Sequence, residues 1–430
     1  MEIALVIPDS PFLLDPLGFP QLGPLYVSAS LKKAGYNPKV YDLTGTSNSV
    51  PEIEADIIGI TSSTPQFPYA VKIMKSLRGF NPTSIFIIGG PHAINAPETC
   101  RDAGFDITMA GEGELFSHVV SHIETRRLST DTIIRPQPTE NLDDIPYPDR
   151  EAIDIDRYHF YVTGEKTLHL MTQRGCPYGC AFCSGREVKS YRWVRHFSDD
   201  YVIREINHLR DTYGVNAFMF FDDEFNINKK RTLRLCERFK GMSIAWRCQI
   251  RSNLFDAELA QAMSESGCKE VGCGVETGSM IIKKNIHKKT TPEQDLRAVE
   301  LAHEYGMKFK CFIIVGLPGE TRETFDETRA WVKKAQPDNF DYTVLMPYPG
   351  SPIWEYPERY DIEFDKQAII DSNFDETWYK GTTGGPPKSL VRTSALSHED
   401  IMQLRLELEE EFPRSPSTAW AGTALPENGG

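Results

Sequence analysis

Three cysteines stand close together near the middle of the chain, in the segment RGCPYGCAFCSG, as Cys176, Cys180 and Cys183. A structural zinc site takes four ligands, commonly as two separated pairs, and no fourth cysteine or histidine lies nearby in the sequence. Thiolates on closely spaced loops hold iron–sulfur clusters, normally four of them for a cubane. Three thiolates would leave one iron open to a substrate or cofactor. The alternative is three unrelated thiols on one loop, at a density that would invite oxidation. The spacing therefore favours an iron–sulfur cluster.

The elements around the cysteines predict a partial barrel. From Leu168 onward, apolar runs alternate with helical patterns. The predicted strands are LHLMTQ, NAFMFFDD, SIAWRCQI, KEVGCGVE, KFKCFIIVG and FDYTVLMPYP, and the predicted helices between them lie at 198–213, 229–240, 257–266, 292–305 and 322–335. Six such units with right-handed crossovers can curl into a (β/α)6 TIM-like partial barrel, whose functional residues lie where the strands end. The cysteines directly follow the first of these strands.

The first 130 residues show a similar alternation. The predicted strands are EIALVIP, PKVYDL, ADIIGITSS, SIFIIGG and DITMAG, with helices at 25–34 and 69–77. Strands separated by helices predict a doubly wound, Rossmann-like parallel sheet. Ligands of such a sheet bind outside the carboxyl ends of its strands. Residues 8–10, 61–65 and 89–92 would therefore line one crevice.

The predicted fold class is thus α/β, with several parts in order along the chain. We predict a Rossmann-like domain at 1–130, a Pro-rich linker at 131–165, the barrel at 166–352, a short, mainly helical C-terminal extension at 353–414 and a disordered tail at 415–430. The last helix, LSHEDIMQLRLELEEEF, carries a capping Ser397 with Asp400 three residues on.

The composition excludes several classes of protein. The chain has 430 residues, 61 acidic and 47 basic side chains and a net charge of −14, so we expect no general binding of nucleic-acid phosphate. The N-terminal run MEIALVIPDS has no basic region before it, and predicts a strand rather than a signal peptide. No apolar stretch approaches the roughly 18 residues of a membrane span. Nine cysteines without the spacing of a disulfide framework suit a reducing compartment, and we expect a cytoplasmic protein.

The cysteine segment resembles the signature of the radical S-adenosylmethionine (SAM) enzymes, C-x3-C-x2-C after the first strand of a partial barrel. The resemblance spans about residues 165–350. It implies that Cys176, Cys180 and Cys183 hold a [4Fe–4S] cluster, whose fourth iron is chelated by the amino and carboxylate groups of SAM. It also implies that one-electron reduction cleaves SAM to a 5′-deoxyadenosyl radical, which abstracts a hydrogen atom.

Further positions match that family near the other strand ends. The resemblance implies SAM contacts at Phe182 for the adenine, Asp222 or Asp223 for the methionyl ammonium, Arg251 for the carboxylate, Glu276 for the ribose and Gly316 for the adenine or ribose. A carboxylate suits an ammonium group, and a guanidinium suits a carboxylate. The alternatives are a solvated strand end for the aspartates, a surface ion pair for Arg251 and a plain turn for Gly316. The other cysteines are expected to be small buried residues; they are Cys100, Cys236, Cys248, Cys268, Cys273 and Cys311.

The N-terminal region resembles the cobalamin-binding domain that precedes the barrel in one branch of this family. The matching segments are QLGPLYVSASLKKAGYNPKVYD, DIIGITSSTPQFPYAVKIMKSL, IFIIGGPHAINAPE and FDITMAGEGE, and they imply cobalamin contacts at Ser62, Thr64, Gly89, Gly90 and His92. The D-x-H-x-x-G loop that ligates cobalt in many cobalamin proteins is absent, as is common in the radical branch. His92 is placed to contact the nucleotide tail or to cap a helix. The alternative is a sheet domain that only supports the barrel or docks substrate.

Together these resemblances imply a cobalamin-dependent radical SAM methyltransferase. It would act on an unactivated carbon, or a phosphinate, of a small organic substrate, with an electron donor such as flavodoxin or ferredoxin. The runner-up has the same cofactors but forms or rearranges a ring, or oxidises its substrate. A non-catalytic iron–sulfur sensing or binding protein is the alternative from another class. We assign no catalytic residue from the sequence.

Aromatic residues after the sixth barrel strand are candidates for substrate contact. They are Trp354, Tyr356, Trp378 and Tyr379. Their segment could cover the mouth of the barrel, but ordinary core packing is an equally good interpretation.

Overall fold

A computed structural model describes residues 1–13, 15–46, 49–125, 127, 129–374 and 389–413. The chain divides into two compact units. Among the described residues, the first unit comprises 1–158, 348–350 and 365–374, and the second comprises 159–347, 351–364 and 389–413. In this part of the chain no helix is long and apolar enough to cross a membrane.

The elements alternate along both units. The strands are β1 (Ile3–Ile7), β2 (Lys39–Asp42), β3 (Ile57–Thr61), β4 (Ile85–Gly89), β5 (Ile107–Met109), β6 (Thr132–Ile134), β7 (Tyr161–Val162), β8 (Glu165–Leu170), β9 (Gln173–Arg174), β10 (Arg195–His196), β11 (Ala217–Phe220), β12 (Ala245–Ile250), β13 (Cys268–Glu276), β14 (Lys308–Val315) and β15 (Asn339–Val344). The α-helices are α1 (Leu22–Lys33), α2 (Phe67–Phe80), α3 (Pro91–Asn95), α4 (Pro97–Asp102), α5 (Phe116–Glu124), α6 (Lys189–Arg192), α7 (Asp199–Tyr213), α8 (Lys229–Phe239), α9 (Ala257–Glu265), α10 (Met280–Asn285), α11 (Pro292–Glu304), α12 (Arg322–Ala335), α13 (Pro352–Glu355), α14 (Lys366–Asp371) and α15 (His398–Glu411). Short 3₁₀ helices lie at Thr64–Gln66, Gly113–Leu115, Leu142–Asp144, Arg150–Ala152, Ile155–Arg157, Ser252–Leu254 and Pro357–Tyr360.

The first unit is built on a parallel sheet with the strand order β2-β1-β3-β4-β5-β6. Ala4 of β1 pairs with Lys39 on one side and Ile58 on the other. β1 is buried along its whole length, as expected for a sheet covered on both faces, and Leu31 and Phe116 belong to its core cluster. The strand order reverses between β1 and β3, so their carboxyl ends form the switch point where doubly wound sheets bind ligands.

The second unit is built on a curled parallel sheet. β8, β11, β12, β13, β14 and β15 are neighbours in that order, and β7 is antiparallel to β8 at one edge. Among the described strands β15 does not pair with β8. The sheet is therefore an open, partial barrel, with the carboxyl ends of its six parallel strands at one rim.

Helix caps define where each loop at that rim ends. The side chains of the cap residues accept a hydrogen bond from a backbone N–H in the first turn of α7, α8, α9, α11 and α12; these residues are Ser198, Asn228, Asp256, Thr291 and Thr321. Caps of this kind pair backbone donors that a helix start leaves unsatisfied. The loops between strand and helix are therefore held at both ends.

Aromatic packing fixes the second barrel strand. The ring of Phe220 in β11 lies 5.2 Å from that of Phe225 and 5.3 Å from those of Phe239 and Trp246. This cluster packs the end of β11 against α8 and β12. The packing consequently fixes the backbone from which the acidic residues after β11 project.

The structure confirms the predicted fold class, with a doubly wound sheet followed by a partial (β/α)6 barrel and a mainly helical C-terminal extension. The last helix is observed as α15, and Ser397 Oγ accepts a hydrogen bond from Asp400 N–H at 3.1 Å. Within the predicted linker the structure has β6, which extends the sheet beside β5. A strand of three residues is too short to reveal a strand period. The tail at 415–430 lies outside the described residues, and the domain boundaries stay predictions.

Candidate functional site

The three predicted cluster ligands lie on one loop that follows β8 and β9. Cys176 N–H donates to the Tyr191 carbonyl at 2.7 Å, and Cys183 N–H donates to the Cys180 carbonyl at 3.1 Å. Cys176 is half-buried, Cys180 is buried and Cys183 is exposed. Gly175 has a φ of +95°, and a Cβ there would come within 2.4 Å of the Trp193 carbonyl oxygen. A glycine is therefore required where the cysteine loop begins.

The donor set on this loop fits a four-iron cluster. Burial raises the pKa of the Cys176 thiol to about 12, and nearby carboxylates and Cys183 add to the effect. Cys183 has surface open to solvent, yet partial burial of its sulfur raises the pKa of the thiol to about 11. The nearby Cys180 contributes to this rise. Among the described residues, no three His, Cys, Asp or Glu side chains meet as ligands of a single metal ion. The thiolates of a cluster bind separate irons, so they need to surround it rather than meet at one point.

Two groups of opposite charge, buried Arg251 and half-buried Glu224, lie beside the cysteine loop. The guanidinium of Arg251, after β12, lies 3.6 Å from the centre of the Tyr178 ring, which is between the first two cysteines. Glu224, after β11, has its Oε1 atom 4.0 Å from Arg251 Nη1. Burial raises the pKa of Glu224 to about 7, against the opposing effect of Lys288 and Arg251.

Both groups keep an unpaired polar atom. In the part of the chain that the structure describes, Arg251 Nε and Glu224 Oε2 are buried without a hydrogen-bond partner. Burying such atoms unpaired costs free energy. A ligand with an anionic and a cationic group, such as the amino-acid end of SAM, fits this pair.

Glu276 ends β13 in a left-handed backbone conformation, with a φ of +65°. A register shift between β13 and β14 lies at this point, and bulges re-aim side chains. Glu276 Oε1 accepts a hydrogen bond from Lys288 Nζ at 2.8 Å, and both side chains are only 8% exposed. The predicted ribose contact is therefore present as a buried, paired carboxylate.

The two aspartates predicted beside the methionyl ammonium differ in their surroundings. Asp222 is buried, and it accepts hydrogen bonds from the Thr172 N–H at 2.7 Å, the Thr172 hydroxyl at 2.5 Å and the Gln173 N–H at 3.0 Å. Burial raises the pKa of Asp222 to about 6, against these hydrogen bonds. Asp223 is exposed and accepts a backbone hydrogen bond from the residue before the first cysteine. The structure thus engages both oxygens of Asp222 in the fold, and brings Asp223 and Glu224 to the cysteine loop.

The two other predicted SAM contacts lie on a turn and on the cysteine loop. Gly316 directly follows β14 with a φ of +84°, and its N–H donates to Glu320 Oε2 at 2.6 Å. Glu320 is buried, and burial raises its pKa to about 7. This carboxyl group fixes the backbone of the turn. Phe182 is half-buried in the cysteine loop, so part of its ring is open to a ligand.

Sequence reasoning missed Tyr178, Lys288 and Glu320. An aromatic residue between the cysteines was a local signal for Tyr178. A carboxylate four residues after Gly316 was a signal for a side chain that closes the turn. Lys288 had no such signal, because nothing local distinguishes the buried lysines in the KKNIHKK segment from the exposed ones.

In the first unit, the predicted cobalamin contacts lie at the ends of β3 and β4. Ser62 is fully buried, and its Oγ donates to the Ser63 carbonyl at 2.7 Å. Thr64 is buried at the start of a 3₁₀ helix, and Gly89 and Gly90 are partly open. Neutral hydroxyls and bare backbone form this edge. Such groups fit a large ligand rich in amides, as cobalamin is, better than a free ion.

His92 lies inside the first unit. Its ring stacks on Phe67 at 4.0 Å and meets Phe374 edge-on at 4.8 Å, and Nε2 is 3.0 Å from the Thr99 hydroxyl. The side chain is fully buried, and burial lowers its pKa to about 3. The structure therefore gives His92 no exposed surface for a ligand. It lies in the first turn of α3, whose cap residue is Gly90 rather than His92.

The remaining aromatic candidates differ in exposure, and two of them lie outside the described residues. Trp354 is buried and stacks on Phe364 at 5.4 Å, whereas Tyr356 is 41% exposed. Trp378 and Tyr379 lie outside the described residues. All of the cysteines beyond the loop are buried, as predicted.

Comparison with known proteins agrees with this arrangement. The B12 binding domain family model matches residues 17–120, and the Radical SAM superfamily model matches residues 170–332. A protein of Pyrococcus horikoshii described as an uncharacterized methyltransferase is 32% identical over 384 residues, covering 83% of each chain. The anaerobic magnesium-protoporphyrin IX monomethyl ester cyclase of Rubrivivax gelatinosus is 26% identical, over 80% of this chain and 68% of its own.

A solved structure shares the fold. The radical SAM methyltransferase TsrM from Kitasatospora setae, solved with cobalamin and a [4Fe-4S] cluster bound, aligns over 94% of this chain and 90% of its own. Its TM-score is 0.71 at 16% sequence identity. The chain thus belongs to the radical SAM superfamily, in the branch with an N-terminal B12-binding domain, and it is a radical SAM enzyme with a [4Fe–4S] cluster, SAM and cobalamin as cofactors.

Proposed function

We propose that this enzyme methylates an unactivated carbon, or a phosphinate, of a small organic substrate. The observation that carries the proposal is the pair of unpaired buried atoms, Arg251 Nε and Glu224 Oε2, beside a loop of three cysteines. A zwitterionic ligand placed there would have its amino and carboxylate groups next to the cluster. The name of the Pyrococcus relative supports methyl transfer.

The cluster and SAM would be held by the second unit. We assign the irons to Cys176, Cys180 and Cys183. Glu224 and Asp223 would accept hydrogen bonds from the methionyl ammonium, and Arg251 would pair with the carboxylate. Glu276 would accept the ribose hydroxyls. Phe182 and the backbone at Gly316 would border the adenine. Asp222 would not contact SAM; it would stabilise the backbone next to the site by accepting hydrogen bonds from Thr172 and Gln173.

Cobalamin would be held by the first unit, at the ends of β3 and β4. We assign contacts to Gly89 and Gly90, which are partly open, and to Thr64 at the start of the 3₁₀ helix. Ser62 is fully buried and its hydroxyl is bonded to the Ser63 carbonyl, so it would support this edge from within the fold. His92 would act as packing beneath this edge, since its ring is fully buried. The chain would then bind cobalamin through backbone and hydroxyl groups.

The reaction divides between cofactors and protein. When bound, the cofactors supply one-electron reduction, hydrogen-atom abstraction and a methyl group. The protein orients the amino-acid end of SAM through Glu224 and Arg251. It positions the ribose through Glu276. The buried surroundings of these groups exclude water from the reacting atoms. A small electron-transfer protein such as flavodoxin or ferredoxin would supply the electron.

Ring formation is the second candidate function. It is favoured by the similarity to the Rubrivivax cyclase, which covers 80% of this chain. Such an enzyme would use the same residues for the same cofactors, so it differs from the first candidate only in its substrate and product.

Anaerobic reconstitution with iron, sulfide and hydroxocobalamin tests the proposal. We expect the absorption spectrum of the desalted protein to contain both cluster and cobalamin bands. With SAM labelled in its methyl group, the label should appear in bound cobalamin. Folded protein that retains no cobalamin would contradict methyl transfer. Protein that retains cobalamin but never accepts the label would also contradict it, and would favour the cyclase.

A further inference from the structure

The end of α10 and the turn that follows it, residues 283–288, contact several parts of the proposed cofactor site at once; we call this segment the 283–288 loop. The Ile286 carbonyl accepts a hydrogen bond from Ala181 N–H at 2.9 Å, within the cysteine loop. The side chain of Asn285 donates to the Pro318 carbonyl at 2.9 Å, in the turn after β14. The 283–288 loop therefore joins the cysteine loop to the turn that follows Gly316.

The same loop holds the ends of β12 and β13. The Lys288 carbonyl accepts a hydrogen bond from the Arg251 guanidinium. Lys283 Nζ donates to the Val275 carbonyl at 2.7 Å, next to Glu276. The 283–288 loop is thus in contact with the backbone or side chains of all of the strand ends that carry the predicted carboxylate, ribose and adenine contacts.

A buried ion pair anchors the 283–288 loop to α11. Lys283 Nζ lies 2.5 Å from Asp295 Oδ2, and both side chains are fully buried. Ser252 Oγ donates to Asp295 Oδ1 at 2.5 Å, and Lys288 N–H donates to the Lys283 carbonyl at 3.0 Å. Removing one partner of such a pair leaves an uncompensated charge. The backbone at Lys288 is therefore fixed before any ligand binds.

Lys288 projects from this anchored backbone to the Glu276 carboxylate. Its Nζ is 2.8 Å from Glu276 Oε1, and its charge also acts on Glu224 and on the Cys183 thiol. A Cβ at Gly274 would lie 2.2 Å from Glu276 Oε1 and 3.0 Å from Lys288 Nζ. The pair consequently occupies space that only a glycine in β13 leaves open. The φ of +65° at Glu276 adds to the cost of this geometry.

We propose that Lys288 is a positioning residue, which holds the Glu276 carboxylate in the orientation that accepts the ribose hydroxyls of SAM. This inference rests on the SAM site proposed above. Lys288 acts through Glu276, because its ammonium group is already paired with that carboxylate. The 283–288 loop would hold the ribose contact at a fixed position relative to the cysteine loop, because it is bonded to both.

A double-mutant cycle on anaerobically reconstituted, full-length protein tests the proposal. The measured quantity is the SAM dissociation constant without reductant, so that no turnover is needed, with the iron content determined for each sample. We expect K288M and E276Q each to weaken SAM binding about tenfold, a typical coupling for contacting residues. The double variant should bind no more weakly than E276Q alone. K288R should recover most of the affinity, and K284M, which changes an exposed lysine of the same loop, should bind like wild type.

Two results would overturn the inference: wild-type affinity in K288M, or a double variant whose loss equals the product of the single losses. If K288M does not fold, the double variant K288M/E276Q is compared with E276Q alone, and K288R is compared with wild type. A double variant that binds SAM more weakly than E276Q, or a K288R variant that loses the affinity, would then overturn the inference. Wild-type protein that assembles no cluster and binds no SAM would refute the proposed function itself. Wild type that binds SAM, with an additive cycle, would refute only the role of Lys288.

Discussion

Asp222 and Glu224 stand two residues apart after β11, yet their surroundings give them different roles. Asp222 accepts three hydrogen bonds from Thr172 and Gln173. Glu224 keeps one buried oxygen without a partner among the described residues. A carboxylate with satisfied oxygens stabilises the fold, whereas one with a free oxygen can bind a ligand.

Paired substitutions separate these roles. We expect D222N to lower the free energy of unfolding by ~1–3 kcal/mol, since it disturbs buried hydrogen bonds. E224Q should leave stability nearly unchanged, because it neutralises a costly buried charge, but weaken SAM binding about tenfold. Urea denaturation and equilibrium dialysis measure the two effects. A D222N variant that folds normally and fails to bind SAM would place Asp222 at the ligand instead.

Buried His92 makes stability depend on pH. Burial lowers its pKa to about 3, whereas an unfolded histidine titrates near 6.5, so between these values only the unfolded chain binds the proton. The His92 contribution therefore destabilises the fold as pH falls below about 6, by at most ~1.4 kcal/mol per pH unit. Urea midpoints at pH 7 and pH 5 should differ less in H92F than in wild type. The exposed-residue variant H122F should keep the wild-type difference; equal differences in all three proteins would mean that His92 is accessible to protons.

At the scale of elements, the ends of β3 and β4 approach each other closely. Ser62 N–H donates to the Gly89 carbonyl, and His92 N–H donates to the Ser62 carbonyl, both at 2.9 Å. Gly90 between them has a φ of +93°. These contacts between the ends of two neighbouring parallel strands shape the edge proposed for cobalamin.

Gly90 is the most sensitive position of that edge. In G90A the new Cβ would lie 2.8 Å from the Ser62 carbonyl oxygen, in a conformation that L-residues avoid, so we expect a loss of ~2 kcal/mol or more. G23A, on an exposed face of α1 with open space around it, should be neutral or up to ~1 kcal/mol stabilising. Urea denaturation of both variants checks this pair. Equal stabilities would mean that the strand ends shift to accept a side chain.

The sequence predicted helices and strands well where their apolar run or helical period was long. β1 and β14 contain apolar runs bounded by turns, and α12 lies where its period placed it, at Arg322–Ala335. Short elements such as β6 and α10 carry too few residues for a period, and tertiary pairing decides them. The cysteine loop could be read locally because its ligands are close in sequence. The pairing of Glu276 with Lys288 could not, since it depends on how a separate loop folds back.

At the scale of the whole molecule, the two proposed cofactor sites belong to different units. The cysteines, Glu224 and Arg251 belong to the second unit, and Ser62 and Gly90 belong to the first. The net charge of −14 says nothing about the substrate. Because separate compact units hold the sites, a substitution in one should leave the other cofactor bound.

The formation of 5′-deoxyadenosine tests the central claim most directly. Reconstituted wild type, reduced anaerobically with SAM, should release this product. C180A, which lacks one cluster ligand, should lose iron and fall at least about 100-fold in product, while it keeps the cobalamin absorption bands. C100A, altered at a buried cysteine of the first unit, should behave like wild type. Product at the wild-type level from C180A, or none from wild type with a full cluster, would contradict the account.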